Sequence, residues 1–339
     1  MQVNPICEIC EHYMRGKCGK CGCTVINKCP LGKWGNRFEA VGFMQSCRSL
    51  LPLFKEAADV YNVAIDSKDY REYNKFYRAS KNIITWGVKF KPEYYNGDKN
   101  VMFIENGLLR QASGIYMDNM GWFSNSSIVQ ERKWMNPATG QDRKRLDAII
   151  KSLGGSGSNP DGPIMLALQN ERDAPVRFHF KHKVNETPML SLIQHATVFK
   201  DREVIVRPHP LNKAGWLQIK DRAEKMFGSK WRVDESPDVY KTLRSCSGLI
   251  TVNSTLATEC VALGIKVAAL GTGTFEGSGT VLECNEDPTT LAWWDAYKPN
   301  PDAAINYCGA VLRQQLPYQT NLQTILTSEI FTDWINKCK

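Results

Sequence analysis

The stretch Leu249–Gly271, LITVNSTLATECVALGIKVAALG, constrains the fold more than any other part of the chain. Its apolar start, Leu249–Val252, predicts a buried strand, and Leu256–Leu263, closed by a glycine, predicts a helix. Lys266–Leu270 predicts a second strand directly afterwards. Because strand–helix–strand units of this kind build parallel sheets, we expect an α/β fold.

The turn Asn253-Ser254-Thr255 gives this unit a candidate ligand site. It leaves the carboxyl end of a strand and opens a helix, so its N–H groups face the crevice in which open α/β sheets bind ligands. A phosphate group suits that position. The alternative is an ordinary unit in which Ser and Thr only cap the helix, and this stretch taken alone favours that alternative.

Length and charge limit the classes of protein to be considered. A chain of 339 residues is long enough for two domains with their own cores. The formal charge of +8 and the pI near 8.8 suggest a polyanionic partner or acidic substrates, although so modest an excess also serves solubility. No run approaches the roughly 18 to 20 apolar residues of a membrane span, and the N-terminus lacks a signal-peptide core. We therefore predict no membrane span and a cytoplasmic location, in a bacterial host if a phage encodes the protein.

Half of the twelve cysteines fall before residue 30, and their clustering indicates a metal site rather than disulfides. They form two C-x-x-C knuckles and two further thiols, and four thiolates so spaced can surround one tetrahedral Zn²⁺. In a segment with almost no apolar core, the metal would supply the folding energy. Which four bind stays open, as does a two-zinc cluster that uses all six. The predicted structural zinc ligands are Cys7, Cys10, Cys18, Cys21, Cys23 and Cys29.

This cysteine box ends in Cys29-Pro-Leu-Gly-Lys-Trp34 and resembles small Cys-rich modules that are frequent in tailed-phage proteins. Its lysine and arginine side chains suit contact with the phosphates of a nucleic acid. The alternative interpretation is a solvent-exposed module that only stabilises the N-terminal segment and does not contact nucleic acid.

Beyond the box, predicted strands and helices alternate in two long blocks, which is typical of doubly wound sheets. The Gly/Ser/Pro-rich stretch Leu153–Pro163 predicts the linker between them. We therefore predict two Rossmann-type doubly wound domains with a small zinc module in front of them. The predicted boundaries are 1–35 for the module, 36–155 and 160–317 for the two domains, and 318–339 for a terminal helix that packs back on the first domain.

The helices of the first block are predicted from apolar spacing and charge. They are Phe43–Tyr61, Tyr70–Ala79 and a charged passage within Gln130–Lys151. The last contains the basic cluster Arg143-Lys144-Arg145, which is either a solvated face or a contact for a polyanion.

Polar residues follow three predicted strands of the second block. They lie in Gln169–Asp173, Arg207–His209 and Asn253–Glu259. Because the carboxyl ends of parallel strands meet at one edge of a sheet, we expect these residues to converge on one crevice. Prolines on both sides of His209 hold the backbone extended and fix the direction of the ring.

The order of these motifs resembles the capsule polysaccharide biosynthesis proteins, a family that includes the bacterial Kdo transferases. The family patterns Q-x-x-x-D and [KR]-P-H-P correspond to Gln169–Asp173 and Arg207–Pro210, and S-x-x-x-E corresponds to Ser254 or Thr255 with Glu259. In the first block, Phe103–Ile128 carries an E-x-G-x-x-R core followed by I-x-x-D-x-x-G-x-x-S. The resemblance covers both large domains and implies a glycosyltransferase of the two-Rossmann GT-B architecture.

Two positions depart from the family. Asn106 and Leu108 interrupt its usual E-x-G-Y-x-R-P wording, so the donor is not assumed to be CMP-Kdo. The cysteine box lies outside the resemblance altogether.

Carried over position by position, the resemblance implies roles for the matching residues. Asp173 is the candidate general base for the acceptor hydroxyl, His209 and Arg207 contact the donor phosphate, and Glu259 holds the sugar or ribose. Glycosyl transfer requires such a base, and it requires positive groups where charge develops on the departing phosphate. The implied set is Asp173, His209 and Glu105 as catalytic residues, Arg207, His209, Asn253, Ser254, Thr255, Glu259 and Gln169 on the donor, and Glu105, Arg110 and Asp118 on the acceptor side.

Each of the main residues also has a structural interpretation. Asp173 could cap a helix or join a salt bridge, and His209 could be a buried structural histidine. Glu259 could pair with Lys266 or Arg244. The sequence has no D-x-D pair, so a catalytic metal is not indicated and zinc is the expected cofactor.

These observations predict a glycosyltransferase that uses a UDP- or CMP-sugar. The phage-like box and the basic charge favour the hydroxymethylated bases of double-stranded phage DNA as the acceptor. One alternative is a capsule or glycolipid enzyme with a glycan acceptor. Another is a non-catalytic nucleic-acid-binding protein on a degenerate transferase scaffold.

Overall fold

The computed structural model describes residues 13–14, 17–18, 38–43, 50–68, 79–87, 99–109, 114–180, 187–209, 216–285, 287–317 and 320–339. Several predictions fall outside these ranges and stay predictions. They concern Arg110, Pro210, most of the helix predicted over Tyr70–Ala79, and the cysteine box, of which only the backbone at Cys18 is described.

The described chain alternates short strands with helices. The strands are β1 (Tyr13–Met14), β2 (Lys17–Cys18), β3 (Phe38–Phe43), β4 (Val63–Ser67), β5 (Asn82–Trp86), β6 (Asn100–Asn106), β7 (Gly114–Asp118), β8 (Ile164–Ala167), β9 (Val204–Arg207), β10 (Trp231–Val233), β11 (Gly248–Thr251), β12 (Val267–Ala269), β13 (Leu282–Glu283) and β14 (Gln315–Pro317). The α-helices are α1 (Leu51–Val60), α2 (Ser127–Gln130), α3 (Gly140–Ser152), α4 (Ala174–His179), α5 (Pro188–His195), α6 (Trp216–Phe227), α7 (Val239–Ser245), α8 (Leu256–Ala262), α9 (Pro301–Arg313), α10 (Leu322–Leu326) and α11 (Glu329–Cys338).

The second domain contains a parallel sheet in the order β10-β9-β8-β11-β12-β13. The chain starts at the centre with β8, moves outward to β10, and then returns to continue from β11 in the other direction. This reversal opens a crevice between the carboxyl ends of β8 and β11, where doubly wound proteins bind their ligands. The doubly wound second domain predicted from the sequence is confirmed.

The first domain is an α/β unit whose sheet is mixed, in the order β14-β7-β6-β5-β3-β4. Strands β4, β3, β5 and β6 are parallel, whereas β7 is antiparallel to both of its neighbours. The reason is the short connection 107–113 between β6 and β7, because a parallel crossover needs a dozen or more residues.

Four strands of this sheet, β3, β4, β7 and β14, were not predicted. Strand β3 extends to Phe43, where we expected a helix to begin, and the helix described in this region is α1, Leu51–Val60. Strand β4 lies at the sheet edge and its last two residues, Asp66 and Ser67, are exposed. A short edge strand therefore shows little of the continuous apolar pattern that marks buried strands.

The C-terminal helices complete the core of the first domain. Residues of α10 and α11 join the cluster formed by α1 and the central strands. The Trp334 indole N–H donates to the carbonyls of Ile83 (3.1 Å) and Asn100 (3.2 Å), and Asn100 Nδ2 donates back to the Trp334 carbonyl (2.9 Å). The chain end is thus fastened to β5 and β6.

Helix α3, which we predicted within the first domain, packs against α9. Arg313 forms an ion pair with buried Asp142 (2.6 Å). Arg145 donates to the carbonyls of Leu312 and Gln315, both at 2.7 Å. The stretch expected to be a free linker is also held in place, because its Gly157 N–H donates to a carbonyl at the end of α8 (2.8 Å). The two domains therefore share a continuous packing region.

Gln315 on β14 explains a glycine in the E-x-G motif. Its amide accepts from Leu109 N–H (3.1 Å) and donates to Leu109 C=O (2.7 Å), so it secures the connection 107–113. A Cβ on Gly107 would lie 2.8 Å from the Gln315 amide carbon, and Gly114 flanks the same amide. The absence of a Cβ at Gly107 and Gly114 leaves room for the buried side chain of Gln315, which follows the second domain in the chain.

We expect Gly107→Ala to lower the free energy of unfolding by about 1–3 kcal/mol, because the added methyl displaces Gln315 from the Leu109 backbone. Urea unfolding followed by circular dichroism measures the change. Gly140→Ala is the matched control, because no atom lies within 4 Å of its Cβ position at the start of α3. Equal stabilities of the two variants would contradict this account of the glycine.

Candidate functional site

A buried pair of amides lies at the switch point of the second sheet. Gln169 follows β8 and is 8% exposed, and Asn253 follows β11 and is 1% exposed. Gln169 Oε1 accepts from Asn253 N–H (2.9 Å) and from Thr251 Oγ1 (3.1 Å), while Gln169 Nε2 donates to Asn253 Oδ1 (3.1 Å). These bonds join the carboxyl ends of the two strands at which the crevice opens.

The Asn253 side chain extends this network to two further segments. Its Nδ2 donates to the carbonyl of Pro175 in the first turn of α4 (2.9 Å) and to that of Thr272 after β12 (3.3 Å). Since buried amides are costly when unpaired, this arrangement holds four segments in one geometry. Gln169 and Asn253, predicted to bind the donor, therefore form the floor of the crevice and position its other residues.

Asp173 and His209 come together at the same edge. Asp173 precedes α4, and its carboxylate makes no capping bond to that helix, so the capping alternative does not hold. Its carboxylate accepts from Asn170 Nδ2 (3.0 Å). Desolvation raises the pKa of Asp173, and attraction to the charge of His209 opposes that rise. The sequence placed these two residues on different strand ends, and the fold brings them within electrostatic reach.

Arg207 lies at the end of β9, two residues before half-buried His209. Its guanidinium forms an ion pair with Asp234, which follows the neighbouring strand β10 and is buried. Asp234 also accepts from Ser236 N–H and Thr242 Oγ1, both at 3.2 Å. The guanidinium is therefore oriented by a fixed carboxylate, which offsets part of its positive charge.

The start of α8 carries the predicted phosphate contacts. Ser254 and Thr255 are half-buried, and Ser254 Oγ accepts from Leu256 N–H (3.2 Å). The Thr255 side chain makes no capping bond. Ser254 therefore bonds to the first N–H of α8, while the N-cap residue Thr255 leaves the following N–H groups without a side-chain cap.

Glu259 lies one turn further along α8 and is 5% exposed. Its Oε2 accepts from Tyr240 OH (3.0 Å). Of the alternative partners suggested by the sequence, Lys266 donates to the Trp294 carbonyl and Arg244 donates to the Leu153 carbonyl. The carboxylate is held from α7, on the side of the sheet that faces the first domain.

Asp118 occupies a different position from the one we predicted. The Asp118 side chain is fully buried, whereas contact with an acceptor would require an accessible carboxylate. It accepts from Tyr116 OH (2.8 Å), from the N–H groups of Met120 (2.8 Å) and Gly121 (3.2 Å), and from Ser127 N–H (2.9 Å). Burial raises its pKa against the effect of these bonds. Asp118 therefore orders the loop after β7 and does not face an acceptor.

Glu105 lies near the end of β6 and is half-buried. Its carboxylate accepts from the backbone N–H of Asn106 (2.9 Å), and its backbone is paired with Tyr116 on β7. Its predicted catalytic and acceptor-side roles, and that of Arg110 beyond it, stay predictions.

Some residues near the crevice were not predicted. Glu283 ends β13 and accepts from Gly277 N–H (2.8 Å), and burial together with Glu276 raises the pKa of Glu283 to about 7. Buried His179 ends α4 and bonds to Ser124 of the first domain. Only Ser124 carried a sequence signal, as the last position of the I-x-x-D-x-x-G-x-x-S pattern; nothing near His179 or Glu283 distinguished them.

Within the described ranges, no group of three or more His, Cys, Asp or Glu side chains could hold a metal ion. Among the helices of those same ranges, none has the length and apolar character that crossing a bilayer requires.

Comparison with known proteins identifies a family. A family model described as "Capsule polysaccharide biosynthesis protein" matches residues 140–318, just over half of the chain. The match contains α3, the second domain and the return to β14. No curated protein sequence matches the chain.

Solved structures share the fold. KpsC of Thermosulfurimonas dismutans, a beta Kdo 2,7 transferase, is 14% identical with a TM-score of 0.56 over 89% of this chain and 100% of that chain. The beta Kdo 2,4 transferase of the same KpsC is 14% identical with a TM-score of 0.49 over 81% and 91%. A UDP co-structure of MnaA from S. aureus is 11% identical with a TM-score of 0.38 over 81% and 93%. The likeness rests on the first of these three and shows a GT-B-type fold of two Rossmann-like domains.

We expect His209→Gln to raise the pKa of the Asp173 carboxyl, because the substitution removes the positive charge that opposes desolvation. Carbon NMR titration of labelled aspartate measures this, with Asp173→Asn to assign the resonance. His195→Gln, at the end of α5, is the control and should leave the pKa of Asp173 unchanged. An unaltered titration in His209→Gln would show that the two side chains are not coupled.

Proposed function

Since the chain belongs to the capsule polysaccharide biosynthesis protein family, we propose that it is a glycosyltransferase that moves a sugar from a nucleotide-sugar donor to a hydroxyl of a glycan or glycolipid. The observation that carries this proposal is that Asp173 and His209 follow the neighbouring parallel strands β8 and β9, beside the switch point of the second sheet. A carboxylate next to a potential cation, at the edge where such sheets bind ligands, suits group transfer from a phosphate ester.

The donor binds along the carboxyl ends of the second sheet in this proposal. His209 and Arg207 approach its phosphate from β9, and the N–H groups at the start of α8 approach it from β11. As the bond from the sugar to the phosphate breaks, its electron pair moves to the phosphate oxygen. Positive groups fixed in advance stabilise that charge more in the transition state than in the ground state.

Asp173 acts as the general base. The acceptor hydroxyl oxygen attacks the anomeric carbon and its proton passes to the Asp173 carboxylate. A raised pKa makes this carboxylate a stronger base than an ordinary aspartate. The proposal assigns no divalent cation, because the sequence has no D-x-D pair.

The acceptor is the point on which the proposal departs from our first prediction. The family match favours a glycan over hydroxymethylated DNA. The predicted basic cluster also contributes less surface charge than its sequence suggests, because Arg145 is used inside the protein and only Arg143 and Lys144 are exposed. The proposal of a DNA acceptor rested on the charge of +8 and on the cysteine box. Each of these features also has an interpretation that does not involve DNA.

We expect sugar transfer to a capsule-type glycan or glycolipid when the protein is incubated with a panel of CMP-, UDP- and GDP-sugars. Intact-mass analysis of the acceptors measures it, with hydroxymethylcytosine and hydroxymethyluracil DNA in parallel. Asp173→Asn should lower the transfer rate by about 10²- to 10⁴-fold, the usual contribution of a general base. Asp161→Asn, an exposed carboxylate of the Gly/Ser/Pro-rich stretch, is the matched control and should retain full activity.

Three outcomes would contradict parts of this proposal. A mass gain on DNA alone would restore the phage-DNA acceptor. Full activity of Asp173→Asn would remove that residue as the base. The absence of both transfer and slow donor hydrolysis would favour a non-catalytic nucleic-acid-binding protein on this scaffold.

We also propose that the N-terminal cysteines hold structural zinc, as two C-x-x-C knuckles of this spacing do in other proteins. The purified protein should contain about one or two zinc ions per chain by elemental mass spectrometry, and a Cys7→Ser/Cys10→Ser double variant should lose at least one. Cys308→Ala, which changes a buried thiol of α9, should keep the full zinc content. Unchanged zinc in the double variant would refute the assignment.

A further inference from the structure

Three segments from both domains meet at His179. This residue ends α4, the short helix that Asp173 precedes, and is 4% exposed. The second segment is the loop after β7 in the first domain, which carries Phe123 and Ser124. The third is the turn after β12, which carries Thr272. His179 therefore lies where the catalytic side of the second domain touches the first domain.

The imidazole makes the contact with the first domain. Its Nδ1 lies 3.1 Å from Ser124 Oγ, a hydrogen bond whose direction follows the tautomer. The ring stacks on Phe123 with 5.1 Å between centroids and 29° between planes. A polar and an aromatic contact together fix both the distance and the rotation of the ring.

The backbone of His179 makes the contact with the third segment. Its carbonyl accepts from Thr272 N–H (3.0 Å) and Thr272 Oγ1 (3.3 Å). The approach is close, because a Cβ on Gly271 would lie 2.8 Å from this oxygen. The Thr272 carbonyl in turn accepts from Asn253, so His179 is continuous with the amide network at the switch point.

The first-domain loop is held in a strained conformation at this contact. Phe123 has φ of +53°, in the left-handed region that favours glycine, although it is a bulky residue. Such a conformation is unfavourable for a residue with a bulky side chain and persists only where surrounding contacts hold it. Here burial of the Phe123 ring and its stacking on His179 hold it, and the result is to present Ser124 to the imidazole.

The geometry points to His179 as a positioning residue for the transfer reaction, an inference that rests on the proposed function. His179 does not touch substrate in this assignment. It fixes the helix that carries Asp173 against the loop Phe123–Ser124 of the acceptor-side domain. The base of one domain is thereby held at a set distance from an acceptor bound on the other, and an error of about 1 Å in such an arrangement can cost 10²-fold in rate.

Three variants separate the contacts of the ring. His179→Phe keeps an aromatic ring and loses the hydrogen bond, and Ser124→Ala loses the same bond from the other side. His179→Asn loses the ring but retains an amide near the position of Nδ1. His195→Phe, on α5, controls for loss of a histidine elsewhere in the second domain.

The informative measurement is the ratio of transfer to donor hydrolysis. Misfolding lowers both rates together, whereas a misplaced acceptor lowers transfer alone. We expect the ratio to fall about 10- to 100-fold in His179→Phe and in Ser124→Ala. Since both variants lose the Ser124–His179 bond, the fall in the double variant should be well below the product of the two single falls, and only the long bond from Thr272 Oγ1 to Ser124 Oγ (3.4 Å) is lost in Ser124→Ala alone. His179→Asn should recover most of the ratio, and donor KM should stay within about twofold of the wild type because the donor contacts are not changed.

A wild-type ratio in both His179→Phe and Ser124→Ala would overturn this inference and leave the proposed function intact. Wild-type protein that neither transfers nor hydrolyses would overturn both. If His179→Phe fails to fold, Ser124→Ala and His179→Asn decide the question together, because the first deletes the hydroxyl that bonds to the imidazole and the second keeps an amide near the position of Nδ1.

Discussion

Hydrogen bonding of two buried side-chain amides at the switch point of the second sheet is the interaction on which the rest of the structure depends. Gln169 and Asn253 have almost no access to water, so each polar atom of their side chains must find a protein partner. They find partners in each other, in Thr251, and in the carbonyls of Pro175 and Thr272. Satisfying two side chains thereby fixes the crevice floor, the start of α4 and the turn after β12.

The same rule connects the two domains. Gln315 is buried at the edge of the first sheet and meets both polar groups of the Leu109 backbone. Arg145 donates to the backbone carbonyls of Leu312 and Gln315. Asp118 accepts from backbone N–H groups on both sides of the loop that contacts His179. Polar groups that have no access to water thus help to fix how the two domains pack against each other.

Sequence reasoning worked best where the pattern is local and buried. The strands β8, β9, β11 and β12 are short apolar runs that each lead into a polar motif, and their order gave the doubly wound second domain and the convergence of Asp173 with His209. It was weaker in the first domain. The edge strand β4 is half-exposed, so its apolar pattern is weak. Strand β7 runs antiparallel to β6 because of a short connection, and an apolar pattern does not indicate the direction of a strand.

Residue chemistry was predictable from the sequence, and residue environment was not. Motif spacing placed Asp173, Arg207 and His209 after the ends of neighbouring strands, where the structure also has them, because the carboxyl ends of a parallel sheet share an edge. It could not separate Asp118, which is fully buried, from Asp173, which is exposed. Nor could it pair His179 with Ser124 or Gln315 with Gly107, because these contacts join residues far apart in the chain. The sequence by itself determined most of the secondary-structure elements of the second domain and the side chains that each of them carries. Tertiary packing alone decided which polar side chains are buried. Burial in turn separates the residues that support the crevice from those that are exposed to it.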